Sequence, residues 1–225
     1  MKTDKNDVVN QIISDRILPL IVCEDLDVAK TLCEITLKSG YKLIEFGIRY
    51  ENSIENYEII SKYLKKNFSE FYLGVGSISN LEGARKVMDI GVDFIVGPGL
   101  NYDIAKDCKK NKICYIPGCA TITEIISAND IGCELIKIFP ADLLGGPKYL
   151  KTIMAPLPWL KAIPAGGILS EPENIKEWLN IGAEAVTLGS DLYKKNNNKY
   201  SIEEIKSKLN YLHKEICKKT DKKNI

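Results

Sequence analysis

Eight short runs of β-branched and aromatic residues recur along this chain, and each is followed by an amphipathic stretch of helical length. Strands that alternate with helices in this way are typical of βαβ units built around a parallel sheet. We predict strands at residues 17–22, 42–48, 71–76, 94–96, 114–116, 135–139, 160–164 and 185–188. Eight such units predict an α/β fold of the (β/α)8 TIM-barrel class, with an extra N-terminal helix and a C-terminal helix. An open, doubly wound sheet is the structural alternative.

A glycine precedes every second predicted strand, at Gly40, Gly91, Gly132 and Gly182. Glycine suits the left-handed cap at which a helix ends. Aligning the four strands on this glycine gives three sets of residues that share one strand face, which in a barrel would form interior layers. From the lowest layer upward the sets are Leu43, Phe94, Leu135, Ala185; Glu45, Val96, Lys137, Thr187; and Gly47, Pro98, Phe139, Gly189. The intervening residues should face the helices, namely Ile44, Phe46, Ile136 and Ile138.

The middle layer contains two ionisable residues, Glu45 and Lys137, just beneath the expected mouth at the carboxyl ends of the strands. A buried acid and base are costly to maintain, and such groups cluster at active sites. A desolvated lysine amine can attack a carbonyl group, and a nearby carboxylate can then move protons. The pattern predicts Lys137 as a nucleophile and Glu45 as the general acid and base. A structural ion pair across the core is the alternative.

Two further features lie at the expected mouth. Arg49 follows Glu45 on the same strand face, and its guanidinium fork suits the carboxylate of a 2-keto acid. A surface salt bridge is the alternative for Arg49. Glycine turns follow the seventh and eighth strands, at Gly166-Gly167 and Gly189-Ser190, and Ser190 is expected to open a short polar helix. Backbone N–H groups at such turns can bind a phosphate. Simple turn chemistry is the alternative.

The amino-acid composition limits the kinds of catalytic and binding site that this chain can have. The only histidine is His213, so Ser-His-Asp and Cys-His nucleophile systems and His-ligated metal sites are excluded, and we expect neither a metal nor a cofactor. The seven cysteines form no CxxC pair and are expected to be buried, reduced thiols.

The net charge of +1 argues against a dedicated nucleic-acid or membrane-surface binder, and we interpret the basic stretch 214–223 as a solvated helix end. Without a signal peptide or an apolar span, the expected location is cytoplasmic, and no linker interrupts a single domain over residues 1–225.

With these residues in view, the chain resembles the 2-keto-3-deoxy-6-phosphogluconate (KDPG) and 4-hydroxy-2-oxoglutarate (KHG) aldolase family of class I aldolases, which use a lysine Schiff base. The resemblance extends from Leu18 to about Tyr193. Its most specific segments are Ile44-Glu45-Phe46-Gly47-Ile48-Arg49, Gly74-Val75-Gly76-Ser77, Val96-Gly97-Pro98-Gly99, Ile116-Pro117-Gly118, Ile136-Lys137-Ile138-Phe139-Pro140-Ala141, Ala165-Gly166-Gly167-Ile168 and Leu188-Gly189-Ser190.

The resemblance implies roles for individual residues. It implies the Schiff-base lysine at Lys137, the acid/base glutamate at Glu45, and a keto-acid carboxylate held by Arg49 and the hydroxyl of Ser77. It places Pro98 and Phe139 around the pyruvyl group. The implied phosphate-binding residues are Gly166, Gly167, Gly189 and Ser190. The family is typically trimeric, so the resemblance also implies a homotrimer.

This chain departs from the family pattern at three positions. Ser77 stands where many members have threonine, which keeps the hydroxyl. Ala165 stands where many have threonine, so a hydroxyl near the middle of the substrate is lost, and Tyr50 replaces a small residue. These changes leave the Schiff-base chemistry intact and bear on the preferred aldehyde.

The sequence therefore predicts a metal-free lyase that splits a phosphorylated 2-keto-3-deoxy sugar acid, or a similar 2-keto acid, into pyruvate and an aldehyde. Two alternatives stay open. One is a phosphate-binding barrel of isomerase or synthase type, in which the lysine acts only through its charge. The other is a ligand-binding barrel that has lost turnover.

Overall fold

The computed structural model describes residues 4–196 and 199–217. This part contains the helices α1 Lys5–Asp15, α2 Leu26–Lys38, α3 Ser53–Asn67, α4 Leu81–Ile90, α5 Tyr102–Asn111, α6 Ile122–Asp130, α7 Gly146–Met154, α8 Pro172–Ile181 and α9 Ile202–Ile216. Its strands are β1 Ile17–Ile21, β2 Leu43–Gly47, β3 Tyr72–Gly76, β4 Phe94–Val96, β5 Cys114–Ile116, β6 Gly118–Cys119, β7 Ile136–Ile138, β8 Ala162–Pro164, β9 Val186–Leu188, β10 Lys195–Asn196 and β11 Lys199–Tyr200. Each of the eight predicted strands is present, and the predicted N-terminal and C-terminal helices correspond to α1 and α9.

Parallel strand pairing organises the sheet. Six strands pair in the order β5-β4-β3-β2-β1-β9, and three more pair in the order β6-β7-β8. A parallel bridge between Ala165 and Thr187 connects the end of β8 to β9. The molecule is therefore an α/β fold with a curled parallel sheet, and the alternation of strand and helix predicted from the sequence is confirmed.

The buried apolar residues form two clusters, one on each face of the sheet. The inner cluster contains the whole predicted lowest layer, Leu43, Phe94, Leu135 and Ala185, together with Val8, Val9 and Ile12 of α1. The outer cluster contains the four residues predicted to face the helices, Ile44, Phe46, Ile136 and Ile138. The period-two assignment of strand faces is thus correct. Helix α1 packs against the amino ends of the strands, since Leu43 and Phe94 are the first residues of β2 and β4.

The four glycines that precede strands have the backbone geometry that their position predicts. Their φ angles are 98° at Gly40, 99° at Gly91, 91° at Gly132 and 118° at Gly182. A side chain is strained in this left-handed region, so glycine allows each helix to end and the chain to turn directly into the next strand.

Some features were not predicted. Strand β6 follows β5 after Pro117, and β10 and β11 form a small antiparallel hairpin before α9. Of the basic stretch 214–223, residues 218–223 lie outside the described residues. In the part of the chain that is described, none of the helices combines the length and apolar character that crossing a membrane requires.

Candidate active site

Lys137 lies in the middle of β7, between Gly118 of β6 and Ile163 of β8 in the strand register. Its side chain enters the interior, where the Nζ atom is 4.0 Å from Oε1 of Glu45. Both side chains are buried, with exposed fractions of 7% for Lys137 and 1% for Glu45. The two ionisable members of the predicted middle layer therefore meet inside the sheet.

The Glu45 carboxylate is buried without compensation from hydrogen bonds. Within the described residues, neither Oε1 nor Oε2 has a hydrogen-bond partner. Burial raises the pKa of Glu45 above its usual range, and the positive charges of Lys137 and Arg49 only partly oppose this. A carboxyl group of this kind can hold a proton at a pH where an exposed glutamate has lost it, which suits a general acid.

The carboxylate fits because β3 has a glycine beside it. A Cβ atom at Gly76 would lie 2.0 Å from Glu45 Oε1, so any other residue would displace the carboxylate. The separation of 4.0 Å between Glu45 and Lys137 exceeds a charge-assisted hydrogen bond, so the pair is not a closed salt bridge.

Arg49 and Ser77 meet at the carboxyl ends of β2 and β3. The Arg49 Nε atom donates a hydrogen bond of 3.0 Å to Ser77 Oγ. In the described part of the chain Arg49 forms no ion pair with a carboxylate, so the alternative role of Arg49, a surface salt bridge, is not seen there. Ser77 has a φ of 66°, an uncommon conformation for a residue with a side chain. Such strained positions cluster at functional sites.

A cavity of about 820 Å³ opens above Lys137 at the carboxyl ends of the strands. Its lining includes Arg49 and Phe139 and extends to the predicted phosphate-binding residues Gly166, Gly167, Gly189 and Ser190. Phe139 is half-buried, and its ring centroid lies 5.0 Å from Lys137 Nζ. A cavity of this size can hold a small organic ligand.

Three predicted residues are not part of this lining. Glu45 is fully buried and contributes no surface to the cavity. Ser77 reaches the site through its hydrogen bond with Arg49. Pro98 is exposed, and its carbonyl group packs against Gly118, where a Cβ atom would lie 2.3 Å from the Pro98 oxygen.

The turn after β8 has the left-handed backbone conformation that favours glycine. The φ angles of Gly166 and Gly167 are 89° and 83°. A Cβ atom at Gly167 would lie 2.2 Å from the Cβ atom of Asp142, so this turn requires glycine for packing as well as for conformation.

The short helix expected at Ser190 was predicted wrongly. Residues 190–193 form a turn, closed by a 3.0 Å hydrogen bond from the Tyr193 N–H to the Gly189 carbonyl. The chain then enters the hairpin, and Asp191 accepts hydrogen bonds from the backbone N–H and the hydroxyl of Ser170. No helix dipole therefore assists an anion at this turn, and any binding there depends on individual N–H and hydroxyl donors.

Several residues at the mouth escaped sequence reasoning. Lys194, Lys195 and Tyr200, from the hairpin and the residue before it, line the cavity, together with Tyr50. Tyr200 donates a hydrogen bond of 3.3 Å to the Val22 carbonyl, which ties the hairpin to the end of β1. The run of three asparagines at 196–198 was the sequence signal near these strands, since asparagine is common in turns.

Comparisons with known proteins agree on one family. The family model described as "Aldolase: KDPG and KHG aldolase" matches residues 8–207. The chain belongs to the KDPG and KHG aldolase family. It is therefore an aldolase, a carbon–carbon lyase, and the predicted family resemblance is confirmed.

Individual relatives cover most of the chain. The KHG/KDPG aldolase of Escherichia coli (strain K12) is 28% identical over 179 residues, which are 80% of this chain and 81% of that protein. The KDPG aldolase of Legionella pneumophila, crystallised with pyruvate captured at low pH as a covalent carbinolamine intermediate, is 25% identical with a TM-score of 0.76 and covers 92% of this chain and 95% of its own. The KDPG aldolase of Zymomonas mobilis ZM4, solved with 3-phosphoglycerate, has a TM-score of 0.82 at 24% identity, covering 93% and 96% of the two chains, and is similar in fold.

Proposed function

We propose that this enzyme cleaves KDPG, or a similar 2-keto acid, to pyruvate and an aldehyde through a Schiff base at Lys137. The observation that carries the proposal is the buried Lys137 amine, 4.0 Å from a carboxylate whose oxygens have no partner among the described residues. The relatives named KHG/KDPG aldolase and the Legionella protein captured with pyruvate as a carbinolamine support it.

The proposed reaction begins when the neutral Lys137 amine adds to the ketone carbon and forms a carbinolamine. Glu45 donates a proton to the departing hydroxyl, and loss of water leaves an iminium. Glu45, now ionised, accepts the proton of the hydroxyl on the second carbon beyond the ketone carbon. The bond between that carbon and the first carbon beyond the ketone then breaks and the aldehyde is released, while the iminium accepts the electron pair and becomes an enamine. Glu45 then returns a proton to the enamine carbon, and hydrolysis of the iminium releases pyruvate. No step requires a metal.

The remaining residues would hold the substrate at its two ends. Arg49 would bind the keto-acid carboxylate, with Ser77 fixing the guanidinium through its 3.0 Å hydrogen bond. Phe139 would pack against the pyruvyl group, and Pro98, outside the cavity lining, would approach it from the side of Gly118. A phosphate would lie at the far end of the cavity, against the turns formed by Gly166, Gly167, Gly189 and Ser190.

We also propose that the sheet closes as a (β/α)8 barrel and that residues 1–225 form one domain. In support, β5 pairs with β4 and β6 pairs with β7, while only Pro117 separates β5 from β6. We further propose a cytoplasmic homotrimer that acts on a small molecule and binds neither nucleic acid nor membrane. Exposed apolar side chains that such an assembly could cover include Tyr102, Ile122, Ile126 and Leu143. Sedimentation of the native protein would measure the subunit number.

Borohydride trapping tests the proposal. The protein is incubated with pyruvate, reduced with borohydride, digested and examined by mass spectrometry. We expect one reduced adduct, on the peptide that contains Lys137, because an iminium is reducible and an ion pair is not. The Lys137→Arg variant keeps the charge and should give no adduct and no measurable cleavage. An adduct on another lysine, or a wild-type protein that is never trapped, would refute the mechanism.

A further inference from the structure

Thr187 is a buried residue of the active site that the mechanism above leaves unused. It lies in β9, it lines the cavity together with Lys137, and its exposed fraction is 4%. Its Oγ1 atom has no hydrogen-bond partner among the described residues. Its neighbours in the strand register are Leu18 of β1 and Ala165 at the end of β8, whose side chains offer no hydrogen bond.

Among the described residues, most of the buried side-chain oxygens that lack a hydrogen-bond partner lie in the interior layer around Lys137. Four buried side-chain oxygens without a partner occur in the described residues, and three of them are Glu45 Oε1, Glu45 Oε2 and Thr187 Oγ1. All three belong to the interior layer that also contains Lys137. Burying a hydroxyl without a partner is costly, whereas valine has almost the same shape and would avoid that cost. A buried polar group of this kind points to a partner that arrives with a ligand.

The position of Thr187 indicates which part of a ligand it would meet. The proposed carboxylate-binding residues lie at the ends of β2 and β3, and the proposed phosphate-binding turns follow β8 and β9. Thr187 precedes Gly189 by two residues in the chain, which places it about 6–7 Å below that turn. It therefore lies in the reacting layer, on the strand that leads to the proposed phosphate turn, beside the half of the substrate that leaves as the aldehyde.

We infer that Thr187 binds the substrate hydroxyl that becomes the aldehyde oxygen. A threonine hydroxyl can donate to an oxygen that gains negative charge as its proton leaves. The carbon–carbon bond then breaks and the oxygen becomes a carbonyl, which still accepts the same hydrogen bond. This inference rests on the proposed Schiff-base function, because Lys137 fixes the ketone end from which the hydroxyl is placed.

The test compares cleavage of the whole substrate with reactions that need only its pyruvate half. Thr187→Val removes the hydroxyl and keeps the shape, Thr187→Ser keeps the hydroxyl, and Thr152→Val makes the same change at an exposed site in α7. Each variant is assayed for cleavage of KDPG and KHG, for borohydride trapping of pyruvate, and for exchange of the pyruvate methyl protons in D2O. The last two reactions do not involve the aldehyde half.

We expect Thr187→Val to lower kcat for cleavage by about tenfold or more, since a hydrogen bond to developing charge is lost. Its pyruvate trapping and methyl exchange should keep the wild-type rates, and Thr187→Ser and Thr152→Val should cleave at near the wild-type rate. Wild-type cleavage by Thr187→Val would overturn the inference, as would a loss of methyl exchange in parallel with cleavage or a serine variant as impaired as the valine variant. Absence of pyruvate trapping in the wild type would instead refute the Schiff-base proposal.

Discussion

Lys137 Nζ lies 4.0 Å from Glu45 Oε1, and within the described residues neither oxygen of that carboxylate accepts a hydrogen bond. A pair retained only for stability would gain from closer contact and from further hydrogen bonds to the carboxylate. The open arrangement leaves space between an amine and an acid, as expected where a carbonyl carbon must be attacked and protons moved around it.

Glu45→Gln should retain the shape of the interior layer while removing proton transfer. General acid–base groups contribute roughly 10²–10⁴-fold to a rate, so kcat for cleavage should fall within that range. Borohydride trapping of pyruvate at Lys137 should persist at a lower rate. Glu134→Gln, which removes a surface carboxylate that pairs with Lys161 at 2.7 Å, is the matched control and should cleave normally. Equal activity of the two variants would remove Glu45 from the mechanism.

The pKa of Glu45 also predicts a pH-dependent stability difference. Burial raises this pKa in the folded protein above the ordinary value of 4.5. Between those two values the unfolded chain releases a proton that the folded protein keeps, so stability falls as pH rises through that interval. Glu45→Gln lacks this titration. Relative to the wild type, the variant should therefore be more stable at about pH 8 than at about pH 4, which means a larger difference in the free energy of unfolding, variant minus wild type, at the higher pH. Urea denaturation at both pH values measures the difference, and a constant or reversed difference would contradict the raised pKa.

Ser190→Asp tests the phosphate end of the site. Loss of a donor and added negative charge should raise KM for a phosphorylated substrate by about 10- to 100-fold. The short, unphosphorylated KHG should be affected far less. Gly167 is a poor choice for the same test, because any Cβ atom there would lie 2.2 Å from Asp142. Ser69→Asp, at an exposed position just after α3, controls for the added charge. If both substrates lose affinity equally, the phosphate is bound elsewhere.

Chelation tests the assignment to the metal-free aldolase class. A lysine iminium withdraws electrons from the neighbouring carbon, so a Lewis acid has no role in the proposed steps. Prolonged dialysis against EDTA should leave kcat and KM for cleavage unchanged. Activity that disappears on dialysis and returns with zinc or magnesium would show that a metal polarises the ketone.

Strand periodicity predicted much of this structure. The spacing of two residues assigned Leu43, Phe94, Leu135 and Ala185 to one face and Ile44, Phe46, Ile136 and Ile138 to the other, and it placed Glu45 and Lys137 together. Such assignments succeed because side chains alternate strictly along a strand, so a strand that is buried on both faces still has two distinct sides.

Features that depend on contacts distant in sequence were missed or wrongly predicted. A polar stretch after β9 was expected to be helical, yet Asp191 bonds to Ser170 and the chain turns into the hairpin. The unpartnered hydroxyl of Thr187 was not predicted either, because its lack of a partner depends on Leu18 and Ala165, which are distant in sequence and adjacent in the strand register. A pattern of neighbouring residues cannot predict the hydrogen bond between Asp191 and Ser170 or the apolar surroundings of Thr187.

Helix α1 has a consequence for the order of events in catalysis. Its side chains Val8, Val9 and Ile12 fill the interior at the amino ends of the strands, opposite the cavity above Lys137. Substrate entry and product exit therefore share the opening at the carboxyl ends. In the proposed reaction the pyruvyl fragment stays covalently bound while the aldehyde departs through that opening. Release is then sequential, with the aldehyde leaving first and pyruvate last, and in the synthetic direction pyruvate must bind before the aldehyde can enter.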